Sequence, residues 1–269
     1  MNDLSRLLDQ LQQETAVLVR VDAVRGSVPR EIGAWMAVFD QDLVGTIGGG
    51  HLEWVLMQEA RAALRGERAL TSPQRHALGP SLGQCCGGVV HVSLRLISGA
   101  DAPRLQTELA QALWPLALFG GGHVGRALVS ALAPLPFALT WIDSRDEIFP
   151  ADVPPQVQCE HSNPVQAAVG DVPAGSAVLI MSFSHAEDLD VVAECLLRQR
   201  RRGDLRWVGL IGSRTKWASF QHRLRERGFT EAECATITCP IGIEGIHGKQ
   251  PPVIAASVVA QLLRVFTVE

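Results

Sequence analysis

Tyrosine is absent from this 269-residue chain, and aromatic residues of all kinds make up only 5% of it. That absence excludes any dehydrogenase mechanism in which a tyrosine hydroxyl acts as the general acid. Charge is also modest, with 19% charged residues and a formal net charge of −4. A nucleic-acid-binding chain carries a strong positive field, and this one has none overall. No apolar run reaches the roughly 18 residues that a membrane span requires. Cysteine is sparse and scattered, at Cys85, Cys86, Cys159, Cys195, Cys234 and Cys239. None of these forms a CxxC pair, so the pattern predicts neither a disulfide framework nor a structural zinc site, and no metal ligand set is expected. The opening MNDLSRLLDQLQQE reads as an amphipathic helix with Leu4, Leu7, Leu8 and Leu11 on one face. It lacks the basic start and unbroken apolar stretch of a secretion signal, which points to a cytoplasmic protein with reduced thiols.

What is present is an ordinary globular balance: 47% hydrophobic residues, 25 Gly and 15 Pro. The pattern predicts an α/β protein, with an N-terminal α+β domain followed by a C-terminal Rossmann-like parallel-sheet domain. In the first part, residues 15–21, 34–39, 43–47 and 89–97 read as strands. A helix is expected from His51 to about Gly66, and residues 71–83 show no obvious element. Residues 99–114 read as a linker with a modest helix, so the expected domains are 1–98 and 115–269. From Pro115 onward, strands near 116–119, 137–142, 156–160, 176–182 and 206–211 alternate with helices near 123–133, 187–200, 215–227 and 251–266. Repeated βα units of this length predict a parallel sheet covered on both faces.

The best-defined motif is Gly120-x-Gly122-x-x-Gly125, after a strand and opening a helix, with His123 inside it. Such glycines allow a tight turn, close approach of a pyrophosphate, and packing of helix on strand. Asp143 ends the next strand, where a ribose-binding acid belongs. The same glycines could also serve packing alone, or a different phosphate-bearing ligand. Arg214 follows another strand and could clamp a phosphate or form a surface ion pair. His185, beside Glu187, Asp188 and Asp190, reads as a hydrogen-bonded helix cap or a base. In the first part, Gly48-Gly49-Gly50 with Glu53 on the following turn has the shape of an anion-binding loop. Gln84-Cys85-Cys86-Gly87 places two thiols among small residues, which suits sulfur transfer, redox chemistry or contact with a soft metal. The alternative is a tight turn of small residues. Cys159 and Cys195 lie in apolar patterns and are expected in the core. The arginines between Arg198 and Arg206 read as a solvated helix end or a docking patch for an acidic partner.

These motifs together resemble the XdhC/CoxI accessory proteins of xanthine dehydrogenase and related molybdenum hydroxylases. The resemblance rests on Gly26-Ser27-Val28-Pro29-Arg30, Gly45-Thr46-Ile47-Gly48-Gly49-Gly50-His51-Leu52-Glu53 and Leu82-Gly83-Gln84-Cys85-Cys86-Gly87-Gly88. It continues through Phe119-Gly120-Gly121-Gly122-His123-Val124-Gly125, Ile142-Asp143-Ser144-Arg145, Gly209-Leu210-Ile211-Gly212-Ser213-Arg214 and Cys239-Pro240-Ile241-Gly242. These segments occur in family order along nearly the whole chain. The resemblance implies a chaperone without catalytic residues of its own. Its cargo would be the molybdenum cofactor (molybdopterin), carried transiently, sulfurated with a cysteine desulfurase as sulfur source, and inserted into the apo-xanthine dehydrogenase molybdenum subunit. A homodimer suits that role, and a nucleotide could occupy the Rossmann site. The cofactor-binding residues implied are Gly48, Gly49, Gly50, Glu53, Gln84, Cys85, Cys86, Gly87, Gly120, Gly122, His123, Gly125, Asp143 and Arg214. Two other readings stand beside this one: an NAD(P)-dependent oxidoreductase with a Rossmann domain, and a regulatory module that senses a nucleotide without turnover.

Overall fold

A computed structural model describes residues 3–78 and 87–267. The chain divides into two compact units, Met1–Gln111 and Ala112–Glu269.

The first unit is built on strands β1 (Ala16–Arg25), β2 (Trp35–Val38), β3 (Leu43–Gly45), β4 (Gln74–Ala77) and β5 (Val89–Ile97). They form an antiparallel sheet in the order β3-β2-β1-β5-β4. β1 is apolar at successive positions because both faces of the sheet are covered. Val17, Val19 and Val21 pack with Leu52, Leu56 and Ala60 of helix α2 (Gly50–Leu64). Ala16 and Leu18 face the other way, toward Leu7 of α1 (Asp3–Gln10) and Leu105 of α3 (Ala102–Glu108).

The segment read as a linker therefore contributes to the first unit. Leu105 and Leu109 are buried, and Glu108 takes ion pairs from Arg20 of β1 and Arg95 of β5. Residues 71–83 do contain an element: β4 pairs with β5 from Gln74↔Val92 to Ala77↔Val89. Its sequence, QRHA, has three polar residues and only Ala77 apolar, as suits an edge strand, and so carries no apolar alternation to read.

The second unit contains β6 (Trp114–Phe119), α4 (His123–Leu132), β7 (Phe137–Asp143), β8 (Gln158–His161), β9 (Ala177–Ile180) and α5 (His185–Arg202). It continues with β10 (Trp207–Leu210), α6 (Arg214–Glu226), α7 (Glu231–Cys234), β11 (Ile237–Thr238) and α8 (Pro251–Thr267). All the pairings are parallel, in the order β11-β10-β9-β6-β7-β8. This is the doubly wound order of a dinucleotide-binding sheet, with the first strand at the centre. Leu116 and Leu118 of β6 pack under α4 and α8, while Ala117 and Phe119 pack under α5 and a 3-10 turn at Val165–Gly170.

Cys195 is buried, but Cys159 is exposed, because β8 is the outer strand of this sheet. Nor is the arginine cluster simply a solvated helix end. Arg198 is buried, grips Asp204 through two hydrogen bonds and donates to the Val169 carbonyl. Arg200 is engaged by Glu233, and Arg206 donates to the Val265 carbonyl. Among the described residues no helix is long and apolar enough to cross a membrane.

Burial of Leu105 yields a direct test of the role of α3. Leu105→Ala should lower the urea unfolding free energy by about 2–5 kcal/mol, the range for large-to-small changes in a packed core. An unchanged midpoint would show that this segment is a tether rather than part of the first unit.

Candidate functional site

β6 and β9 are sheet neighbours, but the chain leaves β6 into α4 on one face and β9 into α5 on the other. The divergence opens a crevice beyond the carboxyl ends of the strands, where ligands of such sheets bind. The glycine loop lies here. Gly120 has φ +124°, and a β-carbon there would collide with the Met181 carbonyl. At Gly125 it would collide with the Gly120 carbonyl, so these two glycines serve the turn and the helix–strand contact. Gly122 caps α4 with open space above it, which leaves the helix N-terminus accessible. A cavity of about 190 Å³ is lined by Gly121, Gly122, His123, Arg126, Arg145 and Ile148.

Asp143 stands at the end of β7, as expected of a ribose-binding acid, but it is 2% exposed and fully engaged by its own chain. Its carboxylate accepts from the Gly121 amide (2.5 Å), the Arg145 amide (2.9 Å), Arg145 Nε (2.9 Å) and Arg145 Nη2 (2.8 Å). A carboxylate has about four lone-pair positions, so these donors fill it and leave none for a ribose diol. Burial, the largest single influence, pushes the Asp143 carboxyl up. The hydrogen bonds from Arg145 and the Gly121 and Arg145 amides, with the nearby guanidinium charge, together outweigh it and hold the pKa below the ordinary value. The Arg145 guanidinium lies over the ring of Phe183, 4.6 Å from its centroid. Phe183 is itself exposed on the loop after β9. Arg126 is steadied by a bond to the Ile148 carbonyl.

The neighbouring loops carry further internal pairs. Glu187 accepts from the Ser144 hydroxyl (2.6 Å) and the Phe183 amide (3.0 Å). Asp188 is buried, accepts from the Ser182 amide and forms an ion pair with Lys216 at 2.7 Å. Lys216 also donates to the Ile211 carbonyl, so it joins the first turn of α5 to the loop that follows β10. Sequence reasoning missed Lys216, because nothing in Ser213-x-x-Lys216 reveals which acid it reaches. The cap of α5 is Ser184, which accepts from the Glu187 amide; His185 is exposed, with its ring edge-on to Phe220. Arg214 is the exposed first residue of α6, and it does not line the cavity beside the glycine loop. Burial pushes the Cys239 thiol up to about 11 and that of Cys195 to about 12, and also raises Cys234.

In the first unit, antiparallel pairing brings the end of β1, the start of β2, the end of β3 and the start of β5 to one end of the sheet. The Gly26–Gly33, Thr46–Gly49 and Gly87–Gly88 segments therefore lie together; a β-carbon on Gly88 would collide with the Ser27 carbonyl. The loop Gly48–Gly50 does hold an anion, but the anion is Glu53. Its carboxylate accepts from the Thr46 hydroxyl (2.5 Å), the Ile47 amide (3.0 Å) and the Gly49 amide (3.1 Å). These amides are thus not open to an external phosphate. His51 and Trp54 stack beside this loop, 5.8 Å apart, and both are exposed. Gln84, Cys85 and Cys86 lie outside the described residues, whereas Gly87 lies two residues before β5. Among the described residues no cluster of His, Cys, Asp and Glu could hold a metal ion.

Comparison with known proteins bears on the family and the fold. The profile of the XdhC Rossmann domain matches residues 116–262, and that of the XdhC and CoxI family matches residues 10–72. The uncharacterized protein YqeB of Escherichia coli is 32% identical over 247 residues, which is 90% of this chain. The chain spans only 42% of that relative's length. A crystal structure from Bacillus halodurans, described as a xanthine dehydrogenase, is similar with a TM-score of 0.78 and 20% identity. It covers 98% of this chain and 96% of its own, and the likeness is one of fold.

The lowered pKa of Asp143 fixes a sign. Its contribution to stability is complete above the unfolded carboxylate value of about 4 and is lost as pH falls through the lower folded value. Asp143→Asn should therefore lower stability near neutral pH by about 1–3 kcal/mol, the cost of weakening hydrogen bonds to a charged acceptor. The gap to the parent should narrow as the pH of urea titrations falls below about 4. A gap that stays constant down to pH 2 would mean that the Asp143 carboxylate carries no such linkage.

Proposed function

Because this chain belongs to the XdhC and CoxI family, we propose that it is an accessory protein that carries molybdenum cofactor for a xanthine dehydrogenase. In this reading the cofactor is cargo. It is received, exchanged for its sulfurated form with a cysteine desulfurase as sulfur source, and passed to the apo-enzyme's molybdenum subunit in the cytoplasm.

The observation that carries the proposal is the state of the crevice in the second unit. Its acids and its lysine are engaged with each other and with backbone groups, while its glycine loop and two arginines face a cavity. That donor set suits the holding of a phosphorylated compound better than the moving of protons. Molybdopterin carries a phosphate, and Gly122, His123, Arg126 and Arg145 are the residues that would hold it. The Gly48–Gly50 loop does not fit a second anion, since Glu53 fills it. When bound, the cofactor supplies a soft molybdenum–sulfur centre.

The thiols that this reading assigns to such a centre are Cys85 and Cys86, on the strength of their family-like Gln-Cys-Cys-Gly segment. Support comes from the four other cysteines: burial raises the pKa of Cys159, Cys195, Cys234 and Cys239 and so holds each toward the protonated, less reactive thiol. The oxidoreductase reading is weakened by the same crevice, where Asp143 has no lone pair left for a ribose.

Protein purified from a molybdopterin-producing host should retain molybdenum and pterin in near-equal amounts through gel filtration. Cys85→Ala or Cys86→Ala should reduce loading or sulfuration well below that of Cys159→Ala or Cys195→Ala. Folded protein that releases all cofactor on desalting, yet reduces a small carbonyl with a nicotinamide, would replace this reading with the oxidoreductase one.

A further inference from the structure

We infer that the crevice of the second unit selects its ligand by a phosphate monoester and rejects the unphosphorylated ribose diol that a sheet of this order commonly binds. The inference deepens the carrier reading, and only its pterin arm rests on that reading.

Three observations combine. First, Asp143 accepts hydrogen bonds from the Gly121 amide and from the amide, Nε and Nη2 of Arg145, which exhausts its acceptor positions. A diol approaching the end of β7 finds no carboxylate to receive its protons. Second, Asp143 grips Arg145 along its Nε–Nη2 edge, which leaves the Nη1 edge turned away from the acid. The guanidinium is thus a fixed, oriented donor, braced from one side by the Phe183 ring. Third, Arg145 and Arg126 line the same cavity as Gly121, Gly122 and His123 at the start of α4. Two arginines and a helix N-terminus line one small volume, with open space over Gly122. A monoester dianion matches that field better than a singly charged diester, and a planar fork suits its oxygens.

Such a phosphate could belong to a phosphorylated pterin or to a 2′-phosphorylated nucleotide. The test is calorimetric titration of the full chain with two matched pairs. One pair is NADP+ and NAD+; the other is the stable oxidised pterin phosphate released from molybdopterin, before and after phosphatase treatment. The phosphorylated member of at least one pair should bind about tenfold or more tightly, the effect expected of a charge-assisted hydrogen bond or two. The pair that shows the gap identifies the source. Arg145→Gln should abolish the gap, and Arg145→Lys, which keeps the charge but not the fork, should restore part of it. Circular dichroism and melting curves of both variants check the fold.

NAD+ binding as tightly as NADP+ with no gap in the pterin pair, no binding of any of the four, or a full gap in folded Arg145→Gln would each overturn the inference. A gap confined to the nucleotides would leave phosphate selection intact while removing this crevice from the carrier role.

Discussion

The bidentate hold of Asp143 on Arg145, with the Gly121 amide on the same carboxylate, is the contact on which the second unit's crevice depends. It ties the loop after β6 to the end of β7 and sets the sign of the charge presented to a ligand. In the common form of this sheet the acid faces outward and receives a ribose hydroxyl. Here the acid is turned inward, and the outward group is a cation. The change requires no new fold, only an arginine two residues beyond the acid. Breaking a buried charged pair on one side costs far more than the pair itself contributes, so the arrangement resists partial disruption.

The two units share this device. In the first, Glu53 occupies the amides of its own glycine loop; in the second, Asp143 occupies the Gly121 amide, and Asp188 and Glu187 hold the amides of Ser182 and Phe183. Each carboxylate fixes the shape of a loop that would otherwise carry unsatisfied donors. In consequence, a glycine-rich loop followed by an acid is not by itself a vacant anion site. Whether the acid reaches back into the loop decides between a closed turn and an open cradle. Gly122, with open space above it and two guanidinium groups nearby, belongs to the second kind.

Much of this was legible in the chain. The period-two apolar runs, the alternation of strand and helix after Pro115, and the placement of Gly120, Gly125 and Asp143 follow from local chemistry, and the structure has them in those places. What was not legible depends on contacts distant in sequence. The burial of Arg198 needs Asp204 and Val169 around it, and the partner of Lys216 lies 28 residues away. β4 has no apolar stripe because it is an edge, and Cys159 is exposed for the same reason. Leu105 and Leu109 resembled a connector because a helix of seven residues has too short a period to stand out. The occupation of Asp143 by Arg145 was hidden differently: both residues were visible, but their spacing of two fits a turn that opens outward as well as one that folds back.

The most direct test of the account is a crystal structure of the full chain with a phosphate-bearing ligand in the second unit. The account predicts phosphate oxygens on the amides at the start of α4 and on the guanidinium of Arg145, with Asp143 still bound to Arg145 and Gly121. A ribose diol seated on the carboxylate of Asp143, with Arg145 displaced into solvent, would contradict it.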